Sequence, residues 1–76
     1  MMKKHEFESQ LRDLLRKEPF QPFVVVVNDG RTILVDEPAV AFGGGRAGFI
    51  GPDELVEFFD WQNVVGFRPA SHETAP

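Results

Sequence analysis

Few side chains in this 76-residue chain have the types and spacing that catalysis needs. His5 and His72 stand near opposite ends, in segments expected to fray, and so lack the ordered neighbours a general base requires. Ser9 falls within a helical pattern and Ser71 in a polar tail, with no nucleophile elbow around either. Asp53, Glu54, Glu57 and Asp60 could together attract a hard cation, but their spacing is not that of a calcium loop. A solvated acidic edge that discourages strand aggregation is the simpler reading. Cysteine is absent and the two histidines are distant in sequence, which excludes a disulfide and argues against structural zinc. The sequence therefore predicts no catalytic residue, no metal, no cofactor and no small-molecule substrate.

Two further constellations could hold an anion. Gly43-Gly-Gly45-Arg46 sets backbone amides beside a guanidinium, but a phosphate loop would run on into a helix carrying Lys-Ser/Thr, which this segment lacks. Arg31, Arg46 and Arg68, with Phe42, Phe49 or Trp61 as stacking platforms, are the residues a nucleic-acid surface would use. Charge weighs against it. Residues 19–76 carry three arginines against eight acids, a net of −5, while residues 1–18 carry a net of +1. Phosphate backbones should be repelled by the larger region, so nucleic acid is the disfavoured partner.

Association is what the composition leaves. Eight phenylalanines, one tryptophan and the run Val24 to Val27 supply more large apolar side chains than so small a core easily hides. A chain of this length also sits near the limit at which a single core provides more than roughly 3–5 kcal/mol, and self-association is a common remedy. Trp61 and Phe59 are the leading interface candidates, with Val24 and Val26 second. The competing reading for each is ordinary core packing, which is the preferred one for Phe20 and Phe23 and outweighs the interface role for Trp61 too.

The elements that must position these residues follow from periodicity. Phe7, Leu11, Leu14 and Leu15 fall at i, i+4, i+7 and i+8, one stripe of an amphipathic helix over about residues 5–18, stopped by Pro19. Glu8 with Arg12 and Asp13 with Lys17 are i,i+4 pairs in the favourable order. Pro22 can begin a strand but not occupy its middle, so strands are expected at 22–28 and 31–36. Asp29-Gly30 between them suits the two positive-φ positions of a type I′ turn. After the Pro38 bend come a short strand at about 39–42, a flexible tip at Gly43-Gly-Gly45 and a strand at 46–50. The segment 53–60 carries signals for both helix and strand, and strand is preferred. Asp60 should cap a short turn before a last strand over 64–68, and 69–76 reads as a disordered tail.

With the elements in order, Pro19-Phe-Gln-Pro-Phe23, Asp29-Gly-Arg31, Val35 with Pro38, and Phe58-Phe-Asp60 with Val64 and Phe67 resemble the pattern of a family of uncharacterised small bacterial proteins. The resemblance covers about residues 7–69. It implies strand at 54–59 and brings no activity, cofactor or functional residue. The chain departs from the pattern at Gly66 and at the Gly43-Gly-Gly45 tip. The order of elements is also similar to that of small Sm-like barrels, which form rings by pairing edge strands and bind RNA.

The expectation is thus an α+β, mainly β domain over 1–68: a leading helix, then a five- or six-stranded antiparallel small barrel of Sm-like topology. No apolar run approaches the ~20 residues of a membrane span, and charges interrupt what would be the core of an export signal, so a cytoplasmic setting is expected. The leading function is a non-enzymatic module acting by self-association or through a protein partner. The alternative is a Sm-like nucleic-acid-binding module.

Overall fold

The computed structural model describes residues 2–51 and 54–70. One helix, α1 (Lys4–Arg16), precedes six strands: β1 (Phe23–Val27), β2 (Thr32–Val35), β3 (Val40–Gly43), β4 (Arg46–Ile50), β5 (Val56–Asp60) and β6 (Val64–Pro69). They pair antiparallel into two three-stranded sheets, sheet A in the order β2-β1-β6 and sheet B in the order β3-β4-β5. The helix with a mainly β remainder is as expected. A single closed barrel is not what forms: among the described residues no strand of one sheet pairs with a strand of the other.

The helix buries the stripe that its periodicity marks. Phe7 and Leu11 are fully buried, and Leu14 and Leu15 are half-buried against the same core. At its start, the Lys3 N–H donates to Glu6 Oε1 at 3.0 Å, satisfying an amide that the helix leaves open. At its end Lys17 is already extended (φ −60°, ψ 139°), so the helix stops two residues short of the expected Glu18. The restriction before Pro19 explains only that Glu18 leaves the helical region; the terminal turn is lost with it.

One cluster joins all three layers: Phe7 and Leu11 from α1; Phe23, Val25, Val27, Ile33, Val35 and Val64 from sheet A; Ala47, Phe49 and Phe59 from sheet B. Phenylalanine rings run through it in series. Phe7 lies 6.1 Å from Phe59 and 6.0 Å from Phe67, and Phe67 is 5.9 Å from Phe23. The steep angles of the first and last pairs, 77° and 79°, set a ring edge against a ring face, worth about 0.5–1.5 kcal/mol per pair beyond the area buried. Phe20 joins the row 6.1 Å from Phe23, which agrees with the core role expected of both.

The β1–β2 connection differs from expectation in an instructive way. Gly30 has positive φ (92°), but Asp29 does not, and the Gly30 N–H donates to the Val27 carbonyl at 2.9 Å. That makes a type I turn over Val27 to Gly30 with the glycine in the left-handed position, closed by Val27 N–H to the Arg31 carbonyl at 2.9 Å: a three-residue loop with a bulge, not a two-residue type I′ turn. Asp29 decides the outcome, because its Oδ1 accepts the Arg31 N–H at 3.0 Å and so favours a local turn of its own. The type I′ geometry appears instead at the β3–β4 tip. There Gly43 pairs with Arg46, and Gly44 and Gly45 have φ of 61° and 82°.

The ambiguous segment resolves as strand from Val56 onward, while Asp53 lies outside the described residues. Asp60 caps the turn that follows: its Oδ1 accepts the Gln62 N–H at 3.1 Å and its carbonyl accepts the Asn63 N–H at 2.9 Å. β6 runs through Pro69, and Ala70 is buried with its N–H donating to the Pro22 carbonyl at 3.2 Å. The fold thus includes Pro69 and Ala70, which the sequence assigned to the tail. Residues 71–76, including His72 and Ser71, lie outside the described residues.

Candidate functional site: the outer face and edge of sheet B

Strand alternation sorts sheet B into two faces. Val40, Phe42, Ala47, Phe49 and Phe59 turn towards the core, which places Ala41, Arg46, Gly48, Ile50, Val56, Phe58 and Asp60 on the outer face. The decisive pair is Phe58 and Phe59. Phe59 is 4% exposed and part of the core, whereas Phe58 is 66% exposed. Ile50 and Val56, opposite each other in the register, are exposed beside it, and Leu55 is exposed immediately before β5.

Phe58 lies across the strand onto Gly48, its register partner. A Cβ built at Gly48 would come within 3.1 Å of the Phe58 ring, so the glycine gives the ring a place to rest. A cross-strand aromatic laid over a glycine restores packing at a bare backbone position, here on the middle strand of the sheet. A shallow depression of about 350 Å³ opens beside the ring, floored by Ala41, Ala47 and Gly48 and bounded by Arg46.

Among the described residues β5 is the edge of sheet B, with no strand paired on its far side. The Gly51 N–H donates to the Leu55 carbonyl at 3.0 Å and the Trp61 N–H to the Gly45 carbonyl at 2.8 Å. Hydrogen bonding alternates along an antiparallel strand, so 55, 57, 59 and 61 face β4 while Val56 and Phe58 direct their N–H and C=O groups away from it. The residues with outward backbone groups are therefore also those with exposed apolar side chains. Acids surround them: Glu54 and Glu57 are exposed, and Asp60 has Arg46 Nε 3.9 Å from its carboxylate, a loose pair with the arginine 74% exposed.

The expected interface residues fall elsewhere. Phe59 and Val24 are buried, at 4% and 1% exposure. Val24 sits mid-strand between Leu34 and Arg68, its register partners on either side, which is how a residue facing away from the core becomes covered. Val26 is half-buried. Trp61 is half-buried and packed on the core, with Gly45 against its indole so closely that a Cβ there would overlap the ring. The exposed residues Ile50, Val56 and Phe58 were legible only once the alternation of β5 had been fixed; a Phe-Phe pair cannot say which member faces in.

The anion-binding candidates are also accounted for. The Gly45 N–H donates to Glu8 Oε2 at 2.7 Å, so the glycine tip already holds a carboxylate from the chain's own helix, and it is not the free tip expected. Glu8 is thereby drawn from Arg12, whose guanidinium lies 5.8 Å from the Phe42 ring centre. Arg31 pairs with Asp29, Nε to Oδ2 at 2.9 Å. Arg31 holds the Asp29 carboxyl below the ordinary carboxylate range, chiefly through its N–H and, against an opposing cost of desolvation, also through its guanidinium. Arg46 lies on the outer face of sheet B, and Arg68 on β6 opposite Val24 in sheet A, so the three arginines are spread over both sheets. His5 and Ser9 are exposed on α1. Among the described residues no three His, Cys, Asp or Glu side chains gather as metal ligands, and no helix is long and apolar enough to cross a membrane.

No family model matches the chain, and neither a curated protein nor a solved structure is found to be similar to it.

Proposed function

We propose that this protein is a non-enzymatic cytoplasmic interaction module that associates, with itself or with a protein partner, through the outer face of sheet B. One observation carries the reading: Ile50, Val56 and Phe58 stand exposed together on that face, with Leu55 beside them, along a strand that is the sheet's edge among the described residues. An exposed aromatic that rests on a glycine and borders a depression is the kind of side chain that anchors an interface. The sheet edge adds main-chain hydrogen bonds that any extended segment can use.

The test has two parts. Light scattering over a dilution series compares the wild type with Phe58→Glu; an oligomer that this substitution dissolves identifies self-association through this face. A photo-crosslinking residue placed at position 58, in cells that make the protein, asks the same of any partner. If the wild type is monomeric at every concentration and position 58 yields no more adduct than position 32 on the exposed side of β2, the reading fails.

A second reading, a Sm-like nucleic-acid-binding module, draws support from chain order. β2 runs through residues 36–39 into β3, so one stretch feeds both sheets, and a three-residue turn joins β5 to β6. A salt-sensitive gel shift with single-stranded RNA that is lost in Arg46→Ala would favour it. No shift at low salt disposes of it.

A further inference from the structure

Building on the interaction-module reading, we propose that the open edge of β5 accepts an extended segment of a partner protein in which apolar residues alternate with Lys or Arg, as a fourth strand of sheet B. Strand addition needs three things from its host: unpaired backbone groups, places for alternate side chains, and a means of choosing among sequences. The first two coincide at Val56 and Phe58. Their N–H and C=O groups point away from β4, and their side chains lie on the outer face, where every second residue of an added strand would also lie.

Charge makes the choice. Glu57 lies between Val56 and Phe58 on the opposite face and is exposed; Glu54 is exposed before the strand and Asp60 closes it. Against these three acids the outer face of the sheet provides one cation, Arg46, loosely paired with Asp60. An incoming strand with Lys or Arg at its alternate positions would set a cation opposite or diagonal to Glu57 while its apolar residues meet Val56, Phe58 and Ile50. Opposite charges across a strand pair contribute, and like charges directly opposite destabilise.

The same geometry disfavours a second copy of β5 as the occupant. A two-fold antiparallel pairing that hydrogen-bonds Val56 to Phe58 of the other copy places Glu57 directly opposite its own counterpart. Sliding the register so that Phe58 meets Phe58 brings Asp60 opposite Val56 and leaves all six acids of the two edges without a new cation. The acids that keep copies of this edge apart are thus the ones that select a basic strand.

The probe is the peptide Lys-Val-Lys-Val-Lys-Val-Lys, with Glu-Val-Glu-Val-Glu-Val-Glu as its counterpart, added to the isotope-labelled full chain while amide exchange is followed by NMR. The basic peptide should slow exchange at Val56 and Phe58 by about tenfold or more at saturation. The effect should weaken as salt rises from ~50 to ~200 mM, and it should be absent with the acidic peptide. Glu57→Lys should lose the response. Val56→Pro should lose it too, yet unfold in urea close to the wild type, because that N–H is not used in the pairing with β4. Three results overturn the proposal: equal protection by the acidic peptide, no protection by either, or collapse of Val56→Pro together with an undiminished response in Glu57→Lys. Protection that rises with protein concentration alone would make a second copy the occupant, ending this proposal while leaving the interaction-module reading in place.

Discussion

The two sheets use their middle strands in opposite ways. β1 is Phe-Val-Val-Val-Val, with four of its five residues buried, so that this strand is covered on both faces although Thr32, Leu34 and Arg68 of its neighbours are exposed. β4 is Arg-Ala-Gly-Phe-Ile, buried only at Ala47 and Phe49, and its outer residues are an arginine, a glycine and an exposed isoleucine. Both strands are central and of equal length, yet one holds the molecule together and the other carries a surface outward. Burial of a strand's second face, more than its place in the sheet, separates scaffold from presenting element.

The sharpest test lies in adjacent residues. Phe59→Ala should cost about 3–5 kcal/mol, the range for emptying a phenylalanine site in a core, whereas Phe58→Ala should change stability by less than ~1 kcal/mol. Urea unfolding of the two variants checks it, and equal costs would erase the distinction between the faces of sheet B. Leu11→Ala, from the fully buried helix position, should cost about 2–5 kcal/mol, and Leu14→Ala, half-buried, should cost less.

The β3–β4 tip refines the comparison. Gly44 and Gly45 both have positive φ, so alanine at either pays a conformational cost of roughly 1–2 kcal/mol. Gly44 has open space around it, while Gly45 lies against Trp61 and Lys4. Gly45→Ala should therefore be clearly the more damaging of the two in thermal melts, and equal effects would mean that the tip is not held as described.

The smallest effect is electrostatic. The folded-state pKa of Asp29 is lowered, so its contribution is present above the unfolded value of about 3.9 and is lost as pH falls through the lower folded value. The difference in urea midpoint between the wild type and Asp29→Ala should be visible at neutral pH and shrink below about pH 4. A constant gap across that range would mean that the turn is indifferent to the ionised carboxylate.

Much of this is legible in the amino-acid sequence alone. Phe7 and Leu11 followed from helical spacing, and the strands at 46–50 and 64–68 from β propensity bounded by Gly and Pro, as found within a residue. What escaped has physical causes. Asp-Gly is compatible with two hairpin loops, and the choice fell to a side-chain hydrogen bond from Asp29 that composition does not encode. Val24 to Val27 and Phe58-Phe59 have no alternation to read, so their inward members were set by partners far along the chain. The glycine tip reads as a flexible loop because its constraint, the Glu8 carboxylate, lies 37 residues away. The exposed face of sheet B was missed for the same reason: local pattern shows that a residue is apolar, and only tertiary pairing shows that nothing covers it.

Gly45 draws two distant stretches of chain to its own hairpin: the Glu8 carboxylate sits on its amide, and Trp61 sets its amide on the Gly45 carbonyl and its indole on the Cα. Trp61 is the chain's single tryptophan, and there is no tyrosine. The protein therefore carries its own optical label at the place where helix, hairpin and turn converge. Emission excited at the red edge of the absorption band reports on one indole in one environment. A blue-shifted, quencher-shielded signal corresponds to the junction closed, and a shift to the red marks its opening, with no dye attached and no residue changed.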